Sequence, residues 1–193
     1  MTVDLAEIAR YMRMGRTVPE GELAARVERL RDEALGTVRT ARVWRRFPVS
    51  DGVLASGGHR LAIEGTLAAH LAGCRDVYLV CGTIGPGFDA FQRRASVSSG
   101  VDALIVQAVG AALIEKWMDE TEGEIAKELA PDESLVPRYS PGYGDFPLAA
   151  QRTLLALLDA PRTTGVSLTD TLLMVPSKSV SAIIGVKKGL PAQ

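Results

Sequence analysis

Apolar residues recur at helical spacing through most of the chain, and they alternate or run together in only a few places. Leu5, Ile8 and Met12 predict a helix over Leu5–Met14. Thr17 and Glu20 match a capping box. The helix they would open carries Leu23, Val27, Leu30 and Ala34 on one face, Arg and Glu on the other, and a stop at Gly36. Val38, Val43 and Phe47 among polar neighbours predict a strand over Thr37–Val49. Ser50–Gly58 reads as a turn-rich connection. Ile63, Leu67 and Leu71 predict a helix over Leu61–Leu71, ended by Gly73. Val77–Cys81 is a continuous apolar run of the buried-strand type. Gly82–Gly87 is a glycine-rich corner leading to a helix at Phe88–Arg94. Ile105, Val109 and Ala112 mark the inner side of a long helix over Val101–Leu129. Pro131–Pro137 reads as a linker. A helix over Leu148–Leu158 is expected to be capped by Asp145, with Pro147 in its first turn. Leu168–Val175 and Val180–Val186 read as late strands. Helices and strands do not alternate strictly, so the expected class is α+β, not a doubly wound parallel sheet.

Length and charge narrow the function more than they define it. A chain of 193 residues fits one domain over 1–193, and a net charge of −1 gives no reason to expect nucleic acid as a partner. The longest apolar runs, such as Val77–Cys81 and Ala182–Val186, are too short to span a bilayer, so no membrane partner is expected. The first residues show no secretory pattern, and Cys74 and Cys81 lie in or beside an apolar run as reduced core residues would. The expected location is cytoplasmic.

Two patterns imitate familiar sites. Val77–Gly87 is a strand followed by three glycines and a helix, the outline of a nucleotide loop. Its spacing is G-x-x-G-x-G, and Pro86 removes one N–H that such a loop would offer. We read it as a tight strand-to-helix turn with Pro86 at the first helical position. His59 and His70 fall on one side of the helix predicted there, roughly 16 Å apart at 1.5 Å rise per residue, too far to share a metal. No metal site is expected, and neither histidine sits near a nucleophile-elbow motif that would mark a catalytic triad.

Richer chemistry lies in the last third. Arg138 is followed by Ser140-Pro141-Gly142-Tyr143, with Pro and Gly at the two central positions of a type II turn. An arginine can grip a carboxylate with two parallel bonds, and Tyr139 and Tyr143 offer flat faces for a heterocycle or a cation. The same residues would serve a purely structural loop, and from the residues alone both readings stand. Ser177, Ser179 and Ser181 share one face of an extended chain, with Lys178 and Val180 on the other. That row suits a polar ligand, but taken alone it reads first as a half-exposed strand with a polar face. On the long helix, Glu115 stands beside Ala108, Ala111 and Ala112, a notch where a carboxylate could meet a ligand cation or make a surface ion pair.

These motifs resemble a known family, the activation (reactivation) domain of cobalamin-dependent methionine synthase in a short stand-alone form. Arg138–Tyr143 resembles its Arg-x-x-Pro-Gly-Tyr, and Leu168–Ser181 resembles its Leu-Thr-Glu-Ser…Met-x-Pro…Ser-Val-Ser segment. Ala108–Glu115 resembles its central helix. Glu7–Met12 and Leu71–Asp76 resemble stand-alone members. The resemblance implies a C-shaped α+β domain with a central, mainly antiparallel sheet flanked by helices. It implies S-adenosylmethionine as the ligand, and cobalamin reached only through a partner, the cobalamin-binding module of the synthase. It also implies a flavodoxin-type electron donor. The job would be reductive methylation of cobalamin stalled as Co(II), or docking on another corrinoid methyltransferase with little S-adenosylmethionine binding. Arg138 would hold the ligand carboxylate. Ser140, Pro141, Gly142 and Tyr143 would line the adenosyl group, Glu115 would be a polar contact, and Ser177, Ser179 and Ser181 would shape the wall. The sequence departs from the long form in lacking its Trp-rich segment, with an acid for the ligand ammonium, and its tyrosine beyond Ser-Val-Ser.

Overall fold

The computed structural model describes residues 1–15 and 17–189. Its centre is a four-stranded sheet of β1 (Ala41–Pro48), β4 (Cys74–Thr83), β8 (Ser179–Lys188) and β5 (Glu133–Leu135), in the order β1-β4-β8-β5, with every pair antiparallel. The α+β expectation with a mainly antiparallel sheet holds. β4 and β8 are covered on both faces, which is why each reads as an unbroken apolar run.

Side chains alternate across the sheet and feed two cores. Tyr78, Val80, Ala182 and Ile184 face the first, with helices α1 (Leu5–Tyr11), α2 (Gly21–Thr37), α4 (Pro86–Ser98) and α5 (Gly100–Ala126). Val77, Leu79, Cys81 and Ile183 face the second. That side is covered by the hairpin β2 (Val53–Ser56)–β3 (His59–Ala62) and by helices α3 (Gly65–His70), α6 (Ala150–Leu158) and α7 (Ala160–Thr164). A short ladder, β6 (Ser167–Leu168) with β7 (Met174–Val175), completes the elements. Among the described residues no helix is long and apolar enough to cross a membrane.

Several local expectations are corrected. Leu61–Leu71 is not one helix: Leu61 and Ala62 end β3, and only Gly65–His70 is helical. The apolar positions Leu61, Ile63 and Leu67 suit a helical stripe, but Gly57–Gly58 upstream closes a hairpin that claims Leu61 for the sheet register Leu54↔Leu61. His59 therefore sits on a strand, while the His70 ring nitrogen Nε2 lies 2.7 Å from the Pro137 carbonyl oxygen. The Ser50–Gly58 connection contains β2, and the Pro131–Pro137 linker contains the edge strand β5. Leu168–Val175 folds back on itself as β6, a turn and β7. The Thr17–Glu20 capping box does not form: α2 starts at Gly21 with Glu20 as N-cap and no side-chain bond. Asp145 caps α3 instead of α6. Its Oδ1 accepts from the Thr66 N–H at 2.9 Å and from the Thr66 hydroxyl at 2.5 Å, and those bonds hold its carboxyl below the usual range.

Candidate functional site

The glycine corner is packed solid. Gly85 has φ +89° and ψ 165°, backbone that only glycine adopts readily, and a Cβ there would stand 2.4 Å from the Arg39 carbonyl oxygen. Its N–H donates to the Thr83 hydroxyl at 3.1 Å, and Pro86 opens α4. The segment before β1 fills the space where a phosphate would lie, so the structural reading of this corner stands.

The second proline–glycine corner borders open space. Tyr139 bridges to Ile183, each N–H donating to the other's carbonyl at 2.8 and 2.9 Å, as a continuing edge strand would. Two residues on, Pro141 would come opposite Ser181, and it has no N–H to give. The chain turns away there: Tyr143 N–H donates to the Ser140 carbonyl at 3.3 Å, and Gly142 takes φ +95°. The expected type II turn is present. The edge of β8 at Ser179–Ser181 is left without a neighbouring strand among the described residues. Ile183 turns both N–H and C=O to that edge, so in an antiparallel strand Ser181, two residues earlier, does the same.

A cavity of about 420 Å³ occupies the gap. Glu115, Arg138, Tyr139, Ser140, Pro141, Tyr143, Gln151, Met174, Ser179, Val180 and Ser181 line it. Of the residues singled out in the sequence, Glu115, Arg138, Ser140, Pro141, Tyr143, Ser179 and Ser181 meet here. Gly142 shapes the turn without lining the cavity. Ser177 lies elsewhere: its N–H and hydroxyl donate to Asp89 at 2.9 and 2.6 Å on α4. Ser179 donates to the Pro176 carbonyl at 2.7 Å, and Lys178 reaches the Gln107 carbonyl at 3.3 Å, where burial pushes its ammonium down and Asp89 opposes.

Arg138 is not free. Its Nη2 donates to Glu115 at 2.5 Å, and its Nη1 donates to Asp119 at 2.9 Å and to Glu122. The three acids recur on α5 at spacings of four and three, one face of the helix. Burial works against the guanidinium's charge, but the bonds to Glu122, Asp119 and Glu115 outweigh it and hold its pKa above the ordinary arginine value. Of these four residues only Glu115 and Arg138 line the cavity, and a ligand carboxylate would have to compete with three acids for the guanidinium.

The opposite wall is neutral and incompletely paired. Ser181 is 2% exposed and Gln151 6%, and neither Ser181 Oγ nor Gln151 Oε1 has a partner among the described residues. Buried polar atoms left unpaired cost on the order of 1–3 kcal/mol each, and native proteins rarely keep two together. Gln151 was missed in the sequence. Its signal was its place on the apolar stripe of α6, at spacings of three, four and seven from Leu154, Leu155 and Leu158. Cys81, the register partner of Ser181, is buried, and that burial pushes its thiol up to about 12, so it is no nucleophile. A second cavity of about 450 Å³, between β3 and the start of α6, holds no unpartnered buried side-chain atom.

The model of the family "Vitamin B12 dependent methionine synthase, activation domain" matches residues 104–189. Every residue lining the first cavity lies within that segment. Among solved structures, the crystal structure of the MetH reactivation domain bound to AdoHcy is similar, with a TM-score of 0.64 and 16% identity, covering 98% of this chain and 75% of that one. No curated protein sequence matches the chain. In sequence over residues 104–189, and in fold over nearly its whole length, the chain is similar to the methionine synthase activation domain.

Proposed function

We propose that the protein binds S-adenosylmethionine in the cavity beside β8 and serves as a reactivation subunit for a cobalamin-dependent methionine synthase. The observation that carries the reading is the cavity itself. It is bounded by the Arg138–Tyr143 turn and the Ser179–Ser181 edge, lies wholly within the family-matched segment, and holds two buried polar atoms without partners. Its volume is in the range of small-molecule sites. The similar MetH domain was solved with AdoHcy, the demethylated form of this ligand.

The residues fit the ligand in parts. The wall of Glu115 and Arg138 suits a sulfonium amino acid, with an acid for its positive groups and a guanidinium for its carboxylate. Tyr139, Tyr143 and Met174 offer apolar faces to a heterocycle. When bound, the ligand supplies an activated methyl group; the cobalt and the reducing electron belong to partner proteins. This chain's residues bind, orient and shield the ligand. Tyr143, Leu148, Leu173 and Val175 are exposed apolar side chains on the segments around the cavity, as a surface that meets a cobalamin-binding module would need.

Calorimetric titration with S-adenosylmethionine tests the reading. Binding is expected, tighter with the partner synthase present, and no heat of binding in either case would overturn it. The engaged state of Arg138 favours one competing reading, a docking module for another corrinoid methyltransferase that binds little or no S-adenosylmethionine. Stable association with such a protein, with no ligand bound, would select it.

A further inference from the structure

We propose that Gln151 reads the amine-bearing edge of the ligand's adenine ring, with the open peptide edge of β8 at Ser181 as the facing wall. This rests on the proposed S-adenosylmethionine site and assigns its ends.

The position is unusual for α6. Gln151 lies on the helix stripe that otherwise carries leucines, and it is 6% exposed. An apolar residue would serve the core better, since burying an unpaired amide oxygen is unfavourable. Ser181, 2% exposed, repeats the anomaly in the same cavity. The residues that carry these two atoms line one cavity, and a ligand there would complete their bonding.

The two walls divide the ligand. α5 packs on one face of the sheet and brings Glu115 with Arg138, a charged wall suited to the amino-acid group. α6 packs on the other face and brings Gln151 to neutral surroundings that include Ser181 and Met174. A primary amide carries an acceptor and a donor in one plane, and adenine presents a matching pair: the exocyclic amine donates and N7 accepts. A 6-oxopurine has an acceptor where adenine has the amine, so it would leave Gln151 Oε1 unpaired.

The test is calorimetry on the full chain with S-adenosylhomocysteine, S-inosylhomocysteine and 5′-methylthioadenosine, for wild type and Gln151→Leu. Wild type should prefer the adenosyl over the inosyl ligand by on the order of 10- to 100-fold. Gln151→Leu should abolish that preference and weaken S-adenosylhomocysteine and methylthioadenosine by the same factor, because methylthioadenosine keeps the ring and lacks the amino acid. An equal wild-type affinity for adenosyl and inosyl ligands overturns the assignment, whether or not the leucine variant folds. So does a variant that loses S-adenosylhomocysteine but keeps methylthioadenosine, which would place the amide at the amino-acid end. A wild type that binds none of the three, alone or with the partner synthase present, defeats the proposed function itself. One that binds all three but is indifferent to Gln151→Leu defeats only this inference.

Discussion

Two corners of this protein are built from the same parts. At Gly82–Gly87 and at Ser140–Gly144, a proline and glycines turn the chain sharply beside the central sheet, and both resemble ligand loops in sequence. At the first, Gly85 is pressed against the Arg39 carbonyl and Gly87 against that of Thr37. At the second, the nearest atom to a Cβ on Gly142 is the end of the Leu148 side chain, at 3.4 Å, and a cavity opens behind the turn. Gly85 and Gly87 let backbone touch backbone in one corner, while in the other Gly142 lets the chain leave a strand edge uncovered and Gly144 packs against the Thr66 and Tyr139 hydroxyls. Motif spelling does not separate these cases. What separates them is whether another segment fills the space.

The sharpest way to break the comparison is Gly85→Ala. The residue would need a backbone region open only to glycine and would drive a methyl into a carbonyl oxygen at 2.4 Å. The expected loss of stability is about 3–5 kcal/mol, read as a lower urea midpoint. A loss under about 1 kcal/mol would mean that the corner has slack and that its solid packing is not what closes it to ligands.

Arg138→Ala probes the open corner next. It leaves Glu115, Asp119 and Glu122 crowded around no counter-charge on a partly buried wall, and should cost about 2 kcal/mol of stability. Ligand binding should fall further if the guanidinium also meets the carboxylate, by on the order of 2–5 kcal/mol. Arg138→Lys should recover little of either, since one ammonium cannot hold three acids in a planar fork. Unchanged affinity in Arg138→Ala, with stability lowered, would make the arginine purely structural.

Gly142→Ala should do less to the fold and more to the site. With φ +95° but a single 3.4 Å contact, the strain is about 1–2 kcal/mol. The turn would shift, and titration should show binding weakened beyond what the stability loss explains. Equal effects on both would erase the distinction between the corners.

The sequence carried the open corner's turn but not its emptiness. Pro141 and Gly142 at turn positions, and the buried runs of β4 and β8, follow from local rules. The stripe of α5 follows too, because a long helix leaves its period in the chain. The division of Leu61–Leu71 between a strand and a short helix did not show, since hairpin register depends on a partner strand that only the fold supplies. Nor did the capture of Arg138 by three acids from α5, which lie 16 to 23 positions away. Ser177, Ser179 and Ser181 looked equivalent in an extended chain. They part because Asp89 reaches the first, the Pro176 carbonyl takes the second, and only the third faces the cavity with its hydroxyl unpaired.

That third serine supports the smallest and most discriminating prediction. A buried hydroxyl with no partner contributes nothing to the fold and costs its desolvation, so removing it should not destabilise the protein. Ser181→Ala is expected to leave the urea midpoint unchanged or raise stability by up to about 1 kcal/mol. If the hydroxyl is held in reserve for the ligand, the same change should weaken S-adenosylmethionine binding several-fold. Gain in stability with loss of binding is the opposite of what Gly85→Ala should give. It is also the opposite of what a well-paired core serine would show, where both would fall together. A Ser181→Ala protein that loses stability would mean that its hydroxyl has a partner in solution, and would remove the strongest reason for reading this corner as built to receive a ligand.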